Sequence, residues 1–320
     1  MTFSRSAELW QRYCVVGIGR HARTKIIPAL QANGQQVVGL VSTKSSRLLP
    51  YDTVFNSIES ALEVLPADTV FIIATPPSVH FEQVCAVLEV GRDVIVEKPA
   101  FVTASEAREI ATLCQEQGVV IVESLMHRYT SLYRRLMEYW NTHRNRIESI
   151  NTEFLIPEMP VGTFRQESAI TSSCLYDMGC YVISLLADFK LPLDGLQLKQ
   201  VSHLGQEQEE VNIGGVLDGV DISIRIGMAS TYQNFVELRT CDGETTRFWP
   251  FFYGRPGERW VSYEFRGAIE KEVLEDGDAF QSMFKLPREH WLADQVERSA
   301  QMIEVTTSLE VLGQDLLALR

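Results

Sequence analysis

Gly17-Ile18-Gly19-Arg20-His21-Ala22 follows directly on the apolar run Cys14-Val15-Val16 and opens a helix-like stretch through Leu30. Few short patterns constrain a fold as strongly. The first glycine permits a tight turn, the second lets a phosphate approach the backbone, and the small third residue lets helix pack on strand. The alternation continues downstream. Strands are predicted at Tyr13–Val16, Gln36–Val41, Thr69–Ile73, Asp93–Val96 and Val119–Val122, with helices at Ser78–Val90 and Ala104–Gln117. Gly91 and Gly118 follow the helices where helices commonly end. Short apolar runs alternating with helical patterns predict βαβ units, and hence an α/β fold with a doubly wound parallel sheet over residues 1–125.

Beyond residue 125 the texture changes. A helix at Ser131–Asn141 leads into a long strand, Arg146–Ile156, then a loop rich in Pro, Gly and Ser, then a helix over Cys174–Phe189. Strands are predicted at Gln197–Ser202, Glu209–Leu217, Val220–Gly227, Phe235–Thr240, Thr245–Trp249 and Trp260–Arg266. Asp218-Gly219 and Asp242-Gly243 read as hairpin turns between neighbouring strands. Residues 126–320 are therefore expected to form a second α/β domain around a mostly antiparallel sheet, closing with helix from about Arg288.

Composition excludes several classes. With 42 acidic against 29 basic residues the chain carries a net charge of −13, which disfavours nucleic acid and anionic membrane surfaces as partners. The six cysteines (14, 85, 114, 174, 180 and 241) show no C-x-x-C spacing and read as reduced thiols. The six histidines form no H-x-x-x-H or similar set, so no metal is expected. The segment MTFSRSAELWQRY lacks the apolar core of a signal peptide, and no apolar run has the length of a membrane span, so a cytoplasmic chain is expected.

The glycine loop reads as a dinucleotide site formed by Gly17, Ile18, Gly19, Arg20, His21 and Ala22. The end of the second strand distinguishes the two nicotinamide dinucleotides. NAD sites place Asp or Glu there for the ribose hydroxyls, whereas this chain reads Val41-Ser42-Thr43-Lys44-Ser45-Ser46-Arg47. Ser42, Thr43, Lys44 and Arg47 suit a 2′-phosphate, and Arg20 and His21 can lean toward it, so NADP(H) is favoured over NAD(H). A third loop, Ala74-Thr75-Pro76-Pro77-Ser78-Val79-His80, follows the strand ending at Ile73. His80 reads either as lining the cofactor site or as a packing histidine. Glu97-Lys98-Pro99 closes the fourth strand, with the lysine where open α/β sheets bind ligands and the proline restricting its backbone.

Together, the G-x-G-x-x-A loop, Ala74-Thr75-Pro76-Pro77 with His80, Glu97-Lys98-Pro99 and His127-Arg128-Tyr129 resemble the Gfo/Idh/MocA family of glucose–fructose oxidoreductase and inositol dehydrogenase. The resemblance runs nearly the whole chain in order and spacing, the second half mainly by layout. It implies a Rossmann domain joined to an α/β domain with a large, mostly antiparallel open sheet. It also implies oxidation or reduction of a carbinol or ketone on a sugar or cyclitol. Lys98 then becomes the cation beside the reacting oxygen and Glu97 a helper in the cofactor pocket; the bond to proline is often cis there, and proline leaves either isomer open for Lys98–Pro99. The family's Asp-x-x-x-His becomes Asp177-x-x-x-Tyr181, as in the branch of dihydrodiol and xylose dehydrogenases and sugar 3-ketoreductases. A tyrosine, with an ordinary pKa of about 10, donates protons better than it accepts them. The resemblance thus implies catalytic roles for Lys98, Tyr181 and Asp177.

Arg128 and Tyr129 are expected to face the nicotinamide or the substrate. Phe164 and Arg165, in the preceding loop, read equally as reaching a sugar or phosphate and as a solvated loop. Ser172-Ser173-Cys174 stand where relatives often carry glycines, which leaves the substrate open. The aromatics at 248–253 read as a packed strand end or subunit contact rather than a ligand box. Three functions remain: an NADP(H)-dependent sugar oxidoreductase, such as a ketoreductase of a nucleotide-linked deoxysugar; a dehydrogenase of free sugars or dihydrodiols; and a regulator that senses NADP(H) without turnover. Retention of both Lys98 and Tyr181 favours an enzyme. A small-molecule substrate and a homodimer or homotetramer are the expected partners.

Overall fold

The computed structural model describes residues 9–42, 53–157, 171, 173–203, 209–228 and 230–319. They form two compact units, one comprising 1–125 with 280–303 and the other 126–279 with 304–320.

The first unit is built on a six-stranded parallel sheet. Its strands are β1 (Arg12–Val16), β2 (Gln36–Val41), β3 (Val54–Phe55), β4 (Val70–Ile73), β5 (Val94–Val96) and β6 (Ile121–Glu123), in the order β3-β2-β1-β4-β5-β6. This is the doubly wound order that reverses direction beside β1. Cys14, Val15, Phe71, Ile72, Val94 and Ile95 are all at most 1% exposed, so the central strands are covered on both faces, as crossover helices require. The crossovers are α1 (Ile27–Ala32), α2 (Ile58–Val64), α3 (His80–Leu88) and α4 (Ala104–Gln117). α4 starts in a capping box between Thr103 and Glu106 and ends at Gly118 in the left-handed conformation, so its bounds follow from local chemistry. From the later chain, Met302 packs into the same core.

The second unit carries α5 (Ser131–His143), β7 (Ile147–Ile156), α6 (Cys180–Asp188), β8 (Gln197–His203), β9 (Glu209–Leu217), β10 (Val220–Met228), β11 (Gln233–Thr240), β12 (Thr245–Trp249), β13 (Gly257–Phe265) and β14 (Ala268–Asp276). Its sheet runs β14-β13-β12-β11-β7-β10-β9-β8, antiparallel throughout except for the β7–β10 pair. At the β9–β10 hairpin, Asp218 and Gly219 both have positive φ (49° and 80°), the backbone that an Asp-Gly turn supplies. Helices α7 (Ala279–Phe284), α8 (Arg288–Ala293) and α9 (Gln295–Leu319) close the chain. Among the described residues, no helix is long and apolar enough to cross a membrane.

Two strands escape the sequence reading. β3 has two residues, too few for any periodicity to register. β14 is an edge strand with a run of three charged residues, Glu270, Lys271 and Glu272, and no buried residue, so it lacks the buried-face pattern that marks a strand.

One buried side chain sets the loop beyond β12. Asn234, 1% exposed, accepts the N–H groups of Phe251 (3.0 Å) and Phe252 (2.6 Å) and donates to the Phe252 carbonyl (3.2 Å). Truncating it strands the Phe252 amide and carbonyl, while Phe251 N keeps the Asn234 backbone carbonyl (3.0 Å). Asn234→Ala should lower the unfolding free energy by about 2–3 kcal/mol, read as a lower urea midpoint at unchanged m-value.

Candidate functional site

In the first unit, the candidate residues lie along the C-terminal ends of the parallel strands. The hydrogen-bond ladder continues past each strand into the following loop: Gly17 N donates to Val41 O (3.1 Å), Ala74 N to Val16 O (2.8 Å), Glu97 N to Ile73 O (2.9 Å) and Ser124 N to Val96 O (2.9 Å). These bonds set the glycine loop, the Ala74-Thr75-Pro76 loop and Glu97-Lys98 in register along one edge. Gly17 has φ +86°, and a Cβ there would meet Thr75 Cγ2 at 2.7 Å and the Ala74 carbonyl at 2.9 Å, so only glycine fits. Gly19 is the opposite case. Nothing lies within 4 Å of a Cβ built on it, which leaves open space above the loop backbone. Tight packing at the first glycine and room at the second fit a phosphate-bearing dinucleotide. Arg20 is exposed, while Ala22, fully buried, starts a π turn (Ala22–Ile26) that feeds α1.

His21 is placed on a carboxylate. Its Nε2 lies 3.2 Å from Glu97 Oε1, and its ring meets Phe280 edge-on at 5.3 Å. Burial would raise the Glu97 carboxyl, but His21, with Lys98 and His80, holds it below the usual carboxylate range. The peptide from Lys98 to Pro99 is cis. His80 is fully buried and faces backbone oxygen on both sides: Nδ1 lies 3.2 Å from both Pro99 O and Ala100 O, and Nε2 lies 2.8 Å from Thr75 O. It ties the loop after Lys98 to the loop after β4. Thr75 donates to Gln83 (2.6 Å), and Glu123 accepts the Ala100 amide (2.9 Å). Ser42 ends β2, its amide bonded to Phe55 O. Thr43, Lys44 and Arg47 fall outside the described residues, as do Phe164, Arg165 and Ser172.

In the second unit, the candidate residues surround Tyr181. The sequence predicts one regular helix over Cys174–Phe189, with Asp177 and Tyr181 sharing a face. Instead a π turn spans Leu175–Gly179 and α6 begins at Cys180. Asp177, 4% exposed, lies in that widened turn, and half-buried Tyr181 lies in the first turn of α6. Single π turns of this kind are frequent at functional sites. Buried Glu209 accepts the Cys174 amide (3.1 Å) at the entry to the turn.

Arg128 does not reach outward. Its guanidinium grips Asp188 through two bonds (Nε to Oδ2 at 3.0 Å and Nη2 to Oδ1 at 2.8 Å), and Tyr133 Oη donates to the same carboxylate (3.0 Å). Two of the five guanidinium N–H donors are committed to Asp188, which anchors Arg128 to the last residue of α6. Tyr129, half-buried, ends the short 3-10 turn Met126–Tyr129.

The sequence reading gave His127 only as part of a motif, with no role of its own. His127 is fully buried, and among the described residues neither ring nitrogen has a hydrogen-bond partner. Four rings surround it: Tyr133 (5.7 Å between centroids), Tyr181 (5.5 Å), Phe251 (5.9 Å) and Phe252 (5.5 Å). Phe154 stacks on Phe252 (5.2 Å) and meets Tyr181 edge-on (6.0 Å). The aromatics after β12 therefore join the wall around Tyr181. The available signal was the density of aromatics in residues 248–253, which periodicity cannot assign to a partner.

The comparisons agree with this architecture. Residues 11–124 match the family described as "Oxidoreductase family, NAD-binding Rossmann fold". The dTDP-3,4-didehydro-2,6-dideoxy-alpha-D-glucose 3-reductase of Actinomadura kijaniata is 26% identical over 252 residues, covering 74% of each chain. A D-xylose 1-dehydrogenase (NADP(+)) of Haloferax volcanii is 27% identical over 266 residues, covering 80% of this chain and 81% of that one. Among solved structures, the 3-ketoreductase KijD10 of Actinomadura kijaniata, in complex with NADP and TDP-benzene, superposes with a TM-score of 0.78 at 20% identity, over 94% of this chain and 96% of that one. At that identity the likeness shows the shared fold.

Both buried histidines sit below the ordinary histidine value of 6.5, His127 far below, with burial as the main cause. A depressed folded pKa means that the unfolded chain binds the proton first. The stabilisation is therefore present above pH 6.5 and is lost as pH falls, by at most about 1.4 kcal/mol per pH unit for each group. His127→Phe keeps a ring in the cage and removes the titration. It should flatten the decline in urea midpoint between about pH 6.5 and 5, and an unchanged slope would exclude His127 as a source.

Proposed function

Through residues 11–124 the chain belongs to the Gfo/Idh/MocA-type oxidoreductase family, and on that premise we propose that it is an NADP(H)-dependent enzyme acting on a ketone or secondary alcohol of a sugar or sugar derivative. The observation that carries this reading is Lys98 at the end of β5, in the same strand-end row as the open backbone at Gly19. Gly17, Gly19, Ala22, Ser42, Ala74, Thr75, Pro76 and Glu97 would hold the cofactor, with Thr43, Lys44 and Arg47 on the 2′-phosphate. The nicotinamide, when bound, would supply or accept a hydride.

The chain's own residues handle the proton. In the reducing direction the carbonyl oxygen gains negative charge, which the Lys98 ammonium stabilises, and the Tyr181 hydroxyl donates its proton to that oxygen. In the oxidising direction Tyr181 takes the proton back. Asp177, buried in the widened turn, orients the substrate. The rings of Phe154, Phe252 and His127 hold the Tyr181 ring and keep water from its buried faces.

Two of the similar proteins support the substrate class, one named for reduction of a nucleotide-linked keto-sugar and one for oxidation of xylose. A free-sugar dehydrogenase is the second reading, favoured by the xylose enzyme's coverage of 80% of this chain. The NADP(+) in that enzyme's name, and the NADP in the KijD10 structure, support the cofactor choice.

A homodimer or homotetramer is part of the proposal. Trp249, Trp260 and Val273 are paired across β12, β13 and β14 and so share one sheet face. The two tryptophan rings lie 5.0 Å apart, and Val273 on the edge strand is 57% exposed. Such an exposed apolar strip fits self-association. Light scattering should return a multiple of the 36.2 kDa chain mass, and Trp260→Glu should shift it toward one copy. A wild-type monomer would refute this.

Turnover is tested by following NADPH and NADH absorbance over panels of keto-sugars, nucleotide-linked sugars and free sugars. NADPH should support the faster reaction. Lys98→Met and Tyr181→Phe should each lower kcat by at least about 100-fold while cofactor still binds. Near-normal turnover in both variants would remove the Lys–Tyr assignment.

A further inference from the structure

Glu97 presents an electrostatic problem for the site that contains it. Its carboxylate is 12% exposed, ends β5 one residue before Lys98, and stands in the strand-end row that includes the glycine loop. A dinucleotide brings phosphate anions to such a loop, so a bare carboxylate beside it would repel the ligand that the glycines admit. The loop itself supplies a hydrogen-bonding partner for that carboxylate. His21 lies two residues after Gly19, and its Nε2 reaches Glu97 Oε1 at 3.2 Å. The ring is kept in place by its edge contact with Phe280, while 49% of the side chain remains exposed.

The other nearby basic side chains serve differently. His80, fully buried, has both nitrogens turned to backbone oxygens. Lys98 carries the proposed catalytic charge. Arg20 is exposed, and Arg23 and Lys25 lie further along the π turn.

We infer that His21 is a positioning residue for the cofactor, masking the Glu97 carboxylate so that the phosphates of a dinucleotide can settle on the glycine loop. This rests on the NADP(H) reading above. It assigns His21 to the 97-side of the loop and a task distinct from gripping the 2′-phosphate. It also predicts a definite dependence: His21 matters only while Glu97 is charged.

A double-mutant cycle read by NADPH binding, through fluorescence titration or calorimetry, tests this without turnover. His21→Gln should weaken NADPH binding about tenfold, and His21→Asn should do the same if the glutamine variant folds poorly. Combining either change with Glu97→Gln should bring affinity back to within about twofold of Glu97→Gln alone, because no charge is left to mask. Equal affinity of His21→Gln and wild type would overturn the inference. So would a double variant as far below Glu97→Gln as His21→Gln is below wild type, which would mean that His21 acts independently of Glu97. If wild-type protein binds neither NADPH nor NADH, the functional reading fails and this inference falls with it. If wild type binds but the cycle shows no coupling, only this inference falls.

Discussion

The hydrogen bonds that run past the ends of β1, β4 and β5 are the constraint on which the first half of the site depends. A parallel ladder fixes strands in register, but here it also fixes the first residue of each loop: Gly17, Ala74 and Glu97 each donate to the neighbouring strand. Lys98 is therefore placed by backbone bonding one residue upstream. The loops lean on one another as well. Gly17 packs against Ala74 and Thr75, and His80 joins Thr75 to Pro99 and Ala100. A change at Gly17 would therefore be felt at the lysine, through Thr75 and the imidazole.

Each of the two units carries the same irregularity. A π turn follows the glycine loop at Ala22–Ile26, and another holds Asp177 at Leu175–Gly179. In each case the helix continues as ordinary α structure. Widening one turn shifts the side chains on either side of it relative to the regular frame, at the cost of poorer hydrogen-bond geometry. Neighbours in the second unit make the distortion tolerable: Glu209 takes the Cys174 amide, and Gly179 sits where a Cβ would press Leu175 and Ile226 at 3.2 and 3.3 Å.

The parallel sheet was legible because burial on both faces writes near-continuous apolar runs such as Val70–Ile73, and because Gly118 and the Thr103–Glu106 box punctuate the helices. The Asp218-Gly219 hairpin was equally plain. What resisted reading was whatever depends on partners distant in the chain. Arg128 looks like a free cation in sequence, and only Asp188, sixty residues away, claims it. His127 looks like one residue of a motif, and only the fold surrounds it with Tyr133, Tyr181, Phe251 and Phe252. The regular helix read through Asp177 failed for a local reason, since composition carries no strong mark for one extra residue per turn.

The first compact unit is discontinuous in sequence, since it takes residues 280–303 in addition to the first 125. Met302, from that returning segment, belongs to the core that Phe71, Val94 and Ile121 build, and Arg288 pairs with Asp93 at the base of β5. During synthesis, then, the nucleotide-binding half emerges first but stays unfinished until nearly the whole chain has left the ribosome. A nascent chain halted after residue 125 holds a sheet with part of its apolar surface uncovered, a natural substrate for chaperones rather than an early independent folding unit. For the same reason, a fragment cut at the apparent boundary lacks part of its own interior, and the glycine loop is best studied in the intact chain.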